Sequence, residues 1–490
     1  MMGKYFCALK QDMRATIVTR YVGLSLLLVA SMMLLSAGVA YLDNQDDSMM
    51  PLLTAALVTG LTGAFPLLFV RSDGRISSPE RYFIVVLSWL ACCIFGMIPY
   101  ICYGSEFGLV DALFESVSGF TTTGASIICD IESLPKGLLF WRMSTCWIGG
   151  IGIVTLFSLL IPRNRDVKSV LRGAELSDIV MSENKGNPVV KTILSVYLSL
   201  TLLCGFSLKF TGLDWFDSMT TAMSTCSTCG FGVLNDSIYG YHNPAAEIVL
   251  IVFMTISGMN FISLSNLFRR DRTKKKYEMV TIYLALTVAG TLMIFFDLVA
   301  NGSDIHVGDT LRKAAFQFTS IITTTGFATA DTSVWPGISI LILMTASVIC
   351  GCSGSTSGGI KLDRAVIMAK ASKNGIIHLR HPNRILNISI DGKKLSEDLA
   401  NNTFIFLACY LFLAFLGAAI NVACGESLTT GISAAIACIG NVGPGFGDVG
   451  SFGNYADIPN VAKIGSITLM LFGRLEIFPI LFVIRNSIHS

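Results

Sequence analysis

Charge is what this chain has least of. Only 14% of its 490 residues are Asp, Glu, Lys or Arg, where a soluble globular protein carries about 25%. With 52% hydrophobic residues and a mean hydropathy of +0.65, it cannot cover a water-facing surface and reads as an all-α polytopic membrane protein. Catalytic groups are scarce too. The five histidines, His242, His306, His378, His381 and His489, fall in linkers or the tail. No HExxH or paired-carboxylate constellation lies on a span, so the chain does not read as an enzyme. No GxGxxG follows a strand, so any nucleotide sensing would come from another protein. Two close cysteine pairs, Cys226/Cys229 and Cys350/Cys352, lack the second Cys or His pair that a metal or redox site needs. Small apolar packing is their expected role. A net charge of +2 gives no basis for a nucleic-acid partner.

Apolar runs are abundant. Stretches near 20–41, 51–70, 82–103, 138–161, 189–210, 244–268, 277–300, 337–360, 400–424 and 460–484 each reach the roughly 20 residues that span a bilayer. If all ten cross, 28 of the 35 Lys and Arg residues fall on one side, whereas the opposite linkers carry acids such as DNQDD at 43–47. The positive-inside rule then puts both termini and the basic loops in the cytoplasm. The first span is long and is not followed by a small-residue cleavage pattern, so it is expected to be a retained helix.

Four of the acidic-side linkers are too apolar to be ordinary loops: 109–126, 213–232, 307–328 and 425–445. Each begins at a helix-start signal, Asp111, Asp214, Asp309 or Ser427. Each ends at a glycine, Gly124, Gly230, Gly326 or Gly443. The 13 to 17 residues between would make a helix of about 20–25 Å, which enters a bilayer without crossing it. The spacing predicts four repeats of span, re-entrant half-helix, extended loop and span, preceded by two extra N-terminal spans. The corresponding boundaries are 1–71 for the extra pair, then 72–165, 166–270, 271–375 and 376–490.

Non-helical backbone at membrane depth is tolerated where it is buried in protein or lines a watery cavity. Four such loops around one axis would aim carbonyl oxygens and four half-helix C-termini at a common point, which favours a cation. No carboxylate flanks the glycines, so a monovalent ion is expected. The glycines of WIGGIGIV, Gly149, Gly150 and Gly152, read instead as close-packing residues. The span at 337–360 ends in ICGCSGSTSGG, poor in helix formers. It is no phosphate loop, because Ile360 separates Gly359 from Lys361 and Leu362 follows. It reads as a break in a helix lining the cavity below the ring. Arg474, far into the last span, should face a cavity and a partner, and Lys361 and Arg364 should anchor the loop's inner end at the membrane interface.

These residues resemble the Trk/Ktr/HKT potassium transporter superfamily over essentially the whole chain. The four glycine loops, GCSGSTSGGIK at 351–361 and GRLEIFP at 473–479 carry the likeness. Within the superfamily the two extra N-terminal spans are a feature of the bacterial TrkH/TrkG uptake subunits. The resemblance implies one pore per subunit and a homodimer, with no covalently bound cofactor and with potassium as the transported ion. It implies potassium at backbone carbonyls of Thr122, Thr123, Gly124; Thr228, Cys229, Gly230; Thr324, Thr325, Gly326; and Asn441, Val442, Gly443. Cys229 departs from the glycine common in relatives, and NVGPG is the loop least like the others. Sodium-preferring plant relatives carry serine at the first filter glycine, so Gly124 argues for potassium. The resemblance further implies an obstructing gate made of Gly351, Ser353, Gly354, Ser355, Thr356, Ser357, Gly358 and Gly359, with Arg474 beside it. A cytosolic TrkA-like nucleotide-binding ring would open that gate, docking on basic linkers such as 269–276 and 361–394. The setting implied is the bacterial inner membrane. An ion-coupled secondary transporter, with a solute held at broken helices, is the competing reading.

Overall fold

The computed structural model describes residues 14–43, 46–70, 76–104, 107–160, 186–268, 277–302, 306–381, 388–391, 393–395 and 397–489. The basic linker 269–276, all of 161–185 and the two chain ends lie outside the described residues. Helices α1 (Ala15–Leu42) and α2 (Met49–Phe69) form an N-terminal hairpin. Repeat 1 contains α3 (Ser78–Gly96), its continuation α4 (Ile98–Tyr103), half-helix α5 (Leu109–Phe120) and α6 (Lys136–Leu160). Repeat 2 has α7 (Gly186–Phe210), half-helix α8 (Trp215–Ser227), α9 (Pro244–Ser257) and α10 (Phe261–Phe268). Repeat 3 has α11 (Glu278–Ala300), half-helix α12 (Val307–Ile322), α13 (Gly337–Val348) and α14 (Leu362–Arg380). Repeat 4 has α15 (Glu397–Ala423), half-helix α16 (Leu428–Gly440), α17 (Asn460–Arg474) and α18 (Ile477–His489).

The long helices are apolar on every face, and burial alone divides them. Helix α1 buries Leu26, Val29, Met33, Ala37 and Ala40, at helical spacing, while Leu24, Leu28 and Leu35 are exposed. An exposed stripe that is still leucine is what a lipid-facing surface requires. The half-helices are different. Helix α8 buries every residue from Thr220 to Ser227, and α16 every residue but Ile436 from Ser433 to Gly440. Small residues (Ala, Ser, Thr, Cys) fill these stretches because each half-helix end is enclosed by crossing helices of its own and neighbouring repeats.

The structure corrects several boundaries. Helices α5 and α12 start at Gly108 and His306 as caps, with Asp111 and Asp309 in the first turn. Asp214 caps α8 by position without a side-chain bond, and only Ser427 accepts from its helix, at Thr430 N–H. Carboxylates in a first turn still suit the helix dipole. The span expected at 244–268 breaks between α9 and α10, and the one at 337–360 ends as helix at Val348. The last span is not straight: α17 and α18 meet at 107°. Glu476 at that joint has φ of +60°, a conformation that costs a non-glycine residue about 1–2 kcal/mol. Two small sheets complete the fold. Strands β1 (Ile349–Cys350) and β2 (Ile360–Lys361) pair in parallel at the base of the loop between α13 and α14. Strands β3 (Ser389–Ile390) and β4 (Lys393–Lys394) form a hairpin. Its turn residue Asp391 accepts from the N–H groups of Glu278 and Met279, which start α11.

Candidate ion pathway

The four half-helices end alike. The residue two before each glycine is left-handed: Thr122, Thr228, Thr324 and Asn441 have φ of 50°, 55°, 57° and 52°. The next residue sends its N–H back to a carbonyl five residues earlier: Thr123 to Ser118 (2.8 Å), Cys229 to Ser224 (3.1 Å), Thr325 to Ser320 (2.8 Å), Val442 to Ala437 (2.9 Å). That is a helix-terminating bond of the Schellman kind, usually closed by glycine at the left-handed position. Here threonine or asparagine takes it, and the glycine is used one step later. Gly124, Gly230, Gly326 and Gly443 have φ of 79°, 85°, 82° and 96°. A β-carbon on any of them would meet a carbonyl of the next repeat: Gly124 meets Cys229, Gly230 meets Thr325, Gly326 meets Val442, and Gly443 meets Thr123. The four loops therefore close into one ring in chain order, with a carbonyl at each junction.

Behind the ring the repeats are unequal. Thr121 and Thr123 share a hydroxyl bond of 2.7 Å, and Thr323 and Thr325 one of 2.8 Å. Repeats 2 and 4 put Cys229 and Val442, both fully buried, at the position of Thr123 and Thr325. Asn441 compensates by donating Nδ2–H to Thr123 Oγ1 and to Met470 O, both at 3.0 Å. The Gly443 carbonyl already accepts from the Tyr455 hydroxyl at 3.0 Å. The Val442 carbonyl faces the neighbouring repeat, at Gly326.

The segment 349–361 lies under this ring. Thr356 Oγ1 donates to Cys226 O at the end of α8 (3.1 Å), and Gly358 N–H donates to Thr324 Oγ1 (2.9 Å). A β-carbon at Gly358 would press on Gly440 O. Its flank is held by repeat 2, through Cys352 N–H to Gly258 O (3.0 Å) and Asn260 Nδ2–H to Ser353 O. Ser355 and Ser357 share a hydroxyl bond, and Gly354 and Gly359 have φ of 80° and 63°. Gly351 has no room for a β-carbon beside Ser357. Arg474 is 1% exposed. Its Nη1 donates to Thr356 O (2.7 Å) and its Nη2 to Gly149 O of repeat 1 (3.1 Å). Directly or through Arg474, the segment is tied to all four repeats.

Glu476, two residues on, does not pair with Arg474. It accepts from Arg364 at 2.6 Å, and the Arg364 guanidinium lies 4.0 Å over Phe406. Lys361 and Arg364 are both buried, so the inner end of the segment is fixed inside the protein and not, as expected, at the membrane interface, because Arg364 finds its partners in Glu476 and Phe406. Asp363 accepts from Ser353 N–H at 2.6 Å. Sequence reasoning overlooked this joint, although Pro479, in the first turn of α18, has no N–H for the Leu475 carbonyl and so marks a helix break. It also overlooked Asn441 as a link between loops 4 and 1, although asparagine is a tolerated left-handed residue.

A family profile for TrkH, described as a cation transport protein, matches residues 53–489. The chain belongs to the TrkH family. It is similar to the Trk system potassium uptake protein TrkH of Halomonas elongata, 30% identical over 96% of this chain and 98% of that one. It is 31% identical to Escherichia coli TrkH over 95% of this chain and 97% of that one. The crystal structure of the potassium transporter TrkH from Vibrio parahaemolyticus superposes with a TM-score of 0.87. The identity there is 30%, over 96% of this chain and 98% of that chain. This TrkH-family chain is thus a multi-pass membrane transporter built from four span, half-helix, span repeats.

Proposed function

We propose that this chain is a potassium-uptake subunit, a gated, channel-like pathway for potassium and rubidium. The observation that carries the reading is the ring: the same left-handed residue, ladder bond and positive-φ glycine occur four times, with each glycine against the next repeat's carbonyl. Carbonyls at and just before each glycine replace the ion's hydration shell. The half-helix C-termini add negative potential. Thr122, Thr123, Gly124, Thr228, Cys229, Gly230, Thr324, Thr325, Gly326, Asn441, Val442 and Gly443 form this filter. With Gly443 O held by Tyr455, loop 4 contributes chiefly Val442.

The segment from Gly351 to Gly359 is the gate, and the closed form is what the hydrogen bonds to Cys226, Thr324 and Arg474 hold in place. Arg474 adds a fixed positive charge below the filter, an electrostatic barrier to cations while the loop is closed. The repeats are taken as 72–165, 166–270, 271–375 and 376–490, with the last boundary falling inside α14. The subunit works as a homodimer in the bacterial inner membrane with both termini cytoplasmic. A cytosolic TrkA-like nucleotide-binding ring docks on its basic linkers and opens the loop through α14, which continues directly from it.

Cation flux into liposomes tests the reading. Wild type and Gly326→Ser are compared for potassium, rubidium, sodium and lithium, each with and without deletion of residues 353–357. The deletion should open the pathway, and the serine should remove the preference for potassium and rubidium. A deleted protein that passes nothing, or one indifferent to Gly326→Ser, would point to a coupled solute carrier instead.

A further inference from the structure

Glu115 and Arg142 form a buried ion pair that the pathway described so far does not use. Glu115 lies in α5 and is 0% exposed, and Arg142 lies in α6 and is 1% exposed. Arg142 Nε donates to Glu115 Oε1 at 2.6 Å, and Nη1 donates to Gly232 O at 2.8 Å. The guanidinium stacks 3.6 Å from the centre of the Phe231 ring. The Glu115 carboxylate also accepts from Ile127 N–H (3.1 Å) and the Ser126 hydroxyl (3.2 Å). One ion pair therefore grips two strands at once. Ser126 and Ile127 leave loop 1 just past Gly124, and Phe231 and Gly232 leave loop 2 just past Gly230.

Comparison among the repeats isolates the feature. Nine residues before the four glycines stand Glu115, Thr221, Gln317 and Ala434. Gln317 holds its own exit strand through Ala330 O at 2.9 Å. In repeat 4 the neighbouring Ser433 bonds Phe446 N–H and O, both at 2.9 Å. Those ties are neutral and stay within one repeat. The Glu115–Arg142 tie is charged and crosses from repeat 1 to repeat 2. A buried ion pair is a poor source of stability, because desolvation offsets much of the attraction. The planar guanidinium fork does fix geometry, and the loops it spans are in contact, with Gly124 against Cys229 O.

We propose that Glu115 and Arg142 are selectivity-determining positioning residues, which clamp the exits of loops 1 and 2 and set the spacing of their carbonyls. The proposal rests on the carbonyl-filter reading. Thermal melts of the purified full-length protein in potassium chloride against sodium chloride test it without needing an open gate, since an ion bound to the native state raises its melting point. The readout is the excess of the potassium-induced shift over the sodium-induced one. Glu115→Gln and Arg142→Lys should each lose most of that excess, and Glu115→Gln with Arg142→Gln should recover part of it. Glu247→Gln, which breaks the Arg312–Glu247 pair at the outer start of α12, should lower the melting point and leave the excess intact. If Glu115→Gln does not fold, Arg142→Lys, which keeps the charge, carries the test. Clamp variants that melt lower yet keep the wild-type excess overturn the proposal, because the pair is then only structural. No excess in wild type, or one that survives Gly326→Ser, sinks the filter reading itself and the clamp with it.

Discussion

The ring and the segment beneath it are built on opposite plans. The ring repeats one backbone device four times, with left-handed φ values within a few degrees of each other at Thr122, Thr228, Thr324 and Asn441. Among the described residues the segment at 349–361 occurs once, in repeat 3, and its ties to the repeats all differ, with repeat 1 reached through Arg474. The difference teaches what each task demands. On the proposed reading the ring surrounds an ion, which needs equivalent oxygens on all sides, so the geometry is copied. On the same reading the segment is a gate, one body with several releasable contacts, so nothing is gained by copying it.

The sharpest way to break that comparison is to damage one copy of the ring. Gly326→Ser forces a side chain toward Val442 O at a φ of 82°. It should abolish discrimination between potassium and sodium in the flux assay, although three loops remain intact. Next in size is Arg474→Gln, which removes the charge and one of the segment's ties. Gate-intact protein should become leaky without a partner while its ion preference stays that of wild type, as read by flux without added nucleotide. Breaking the joint further out has a stability effect first. Glu476→Ala leaves Arg364 buried without its carboxylate, a loss of about 3 kcal/mol measurable by thermal melting. Glu476→Gly should lose about 1 kcal/mol less, because it relieves the left-handed strain. The smallest effect sharpens the difference among repeats. Thr325→Val removes the hydroxyl pair behind loop 3, should cost about 1 kcal/mol, and gives that loop the valine that loop 4 carries at Val442.

Much of this was legible in the amino-acid order, and the rest was hidden for physical reasons. Phrases such as FTTTG and ITTTG betray a repeat because backbone conformation limits residue choice, and a positive-φ site beside a carbonyl admits only glycine. Half-helix lengths were readable because apolar periodicity stops where the glycines begin. What could not be read depends on partners distant in sequence. Arg474 meets Gly149 across a gap of 325 residues and Asn441 meets Thr123 across 318, whereas the place of Arg474 beside the loop came from the family resemblance. Glu115 and Arg142 were visible as charges inside apolar runs, and intramembrane charge does signal function. The first helical turn at Asp111 and Asp309 was misplaced because an acid serves the dipole equally well at a cap or just inside it.

The central claim is that the four loops hold a monovalent cation on their common axis. Anomalous diffraction from crystals grown in rubidium tests it most directly. A peak among the carbonyls of Thr123, Cys229, Thr325 and Val442, lost in Gly326→Ser crystals, is the predicted result. A peak elsewhere in the protein, or one on the axis that the serine leaves unchanged, would contradict it.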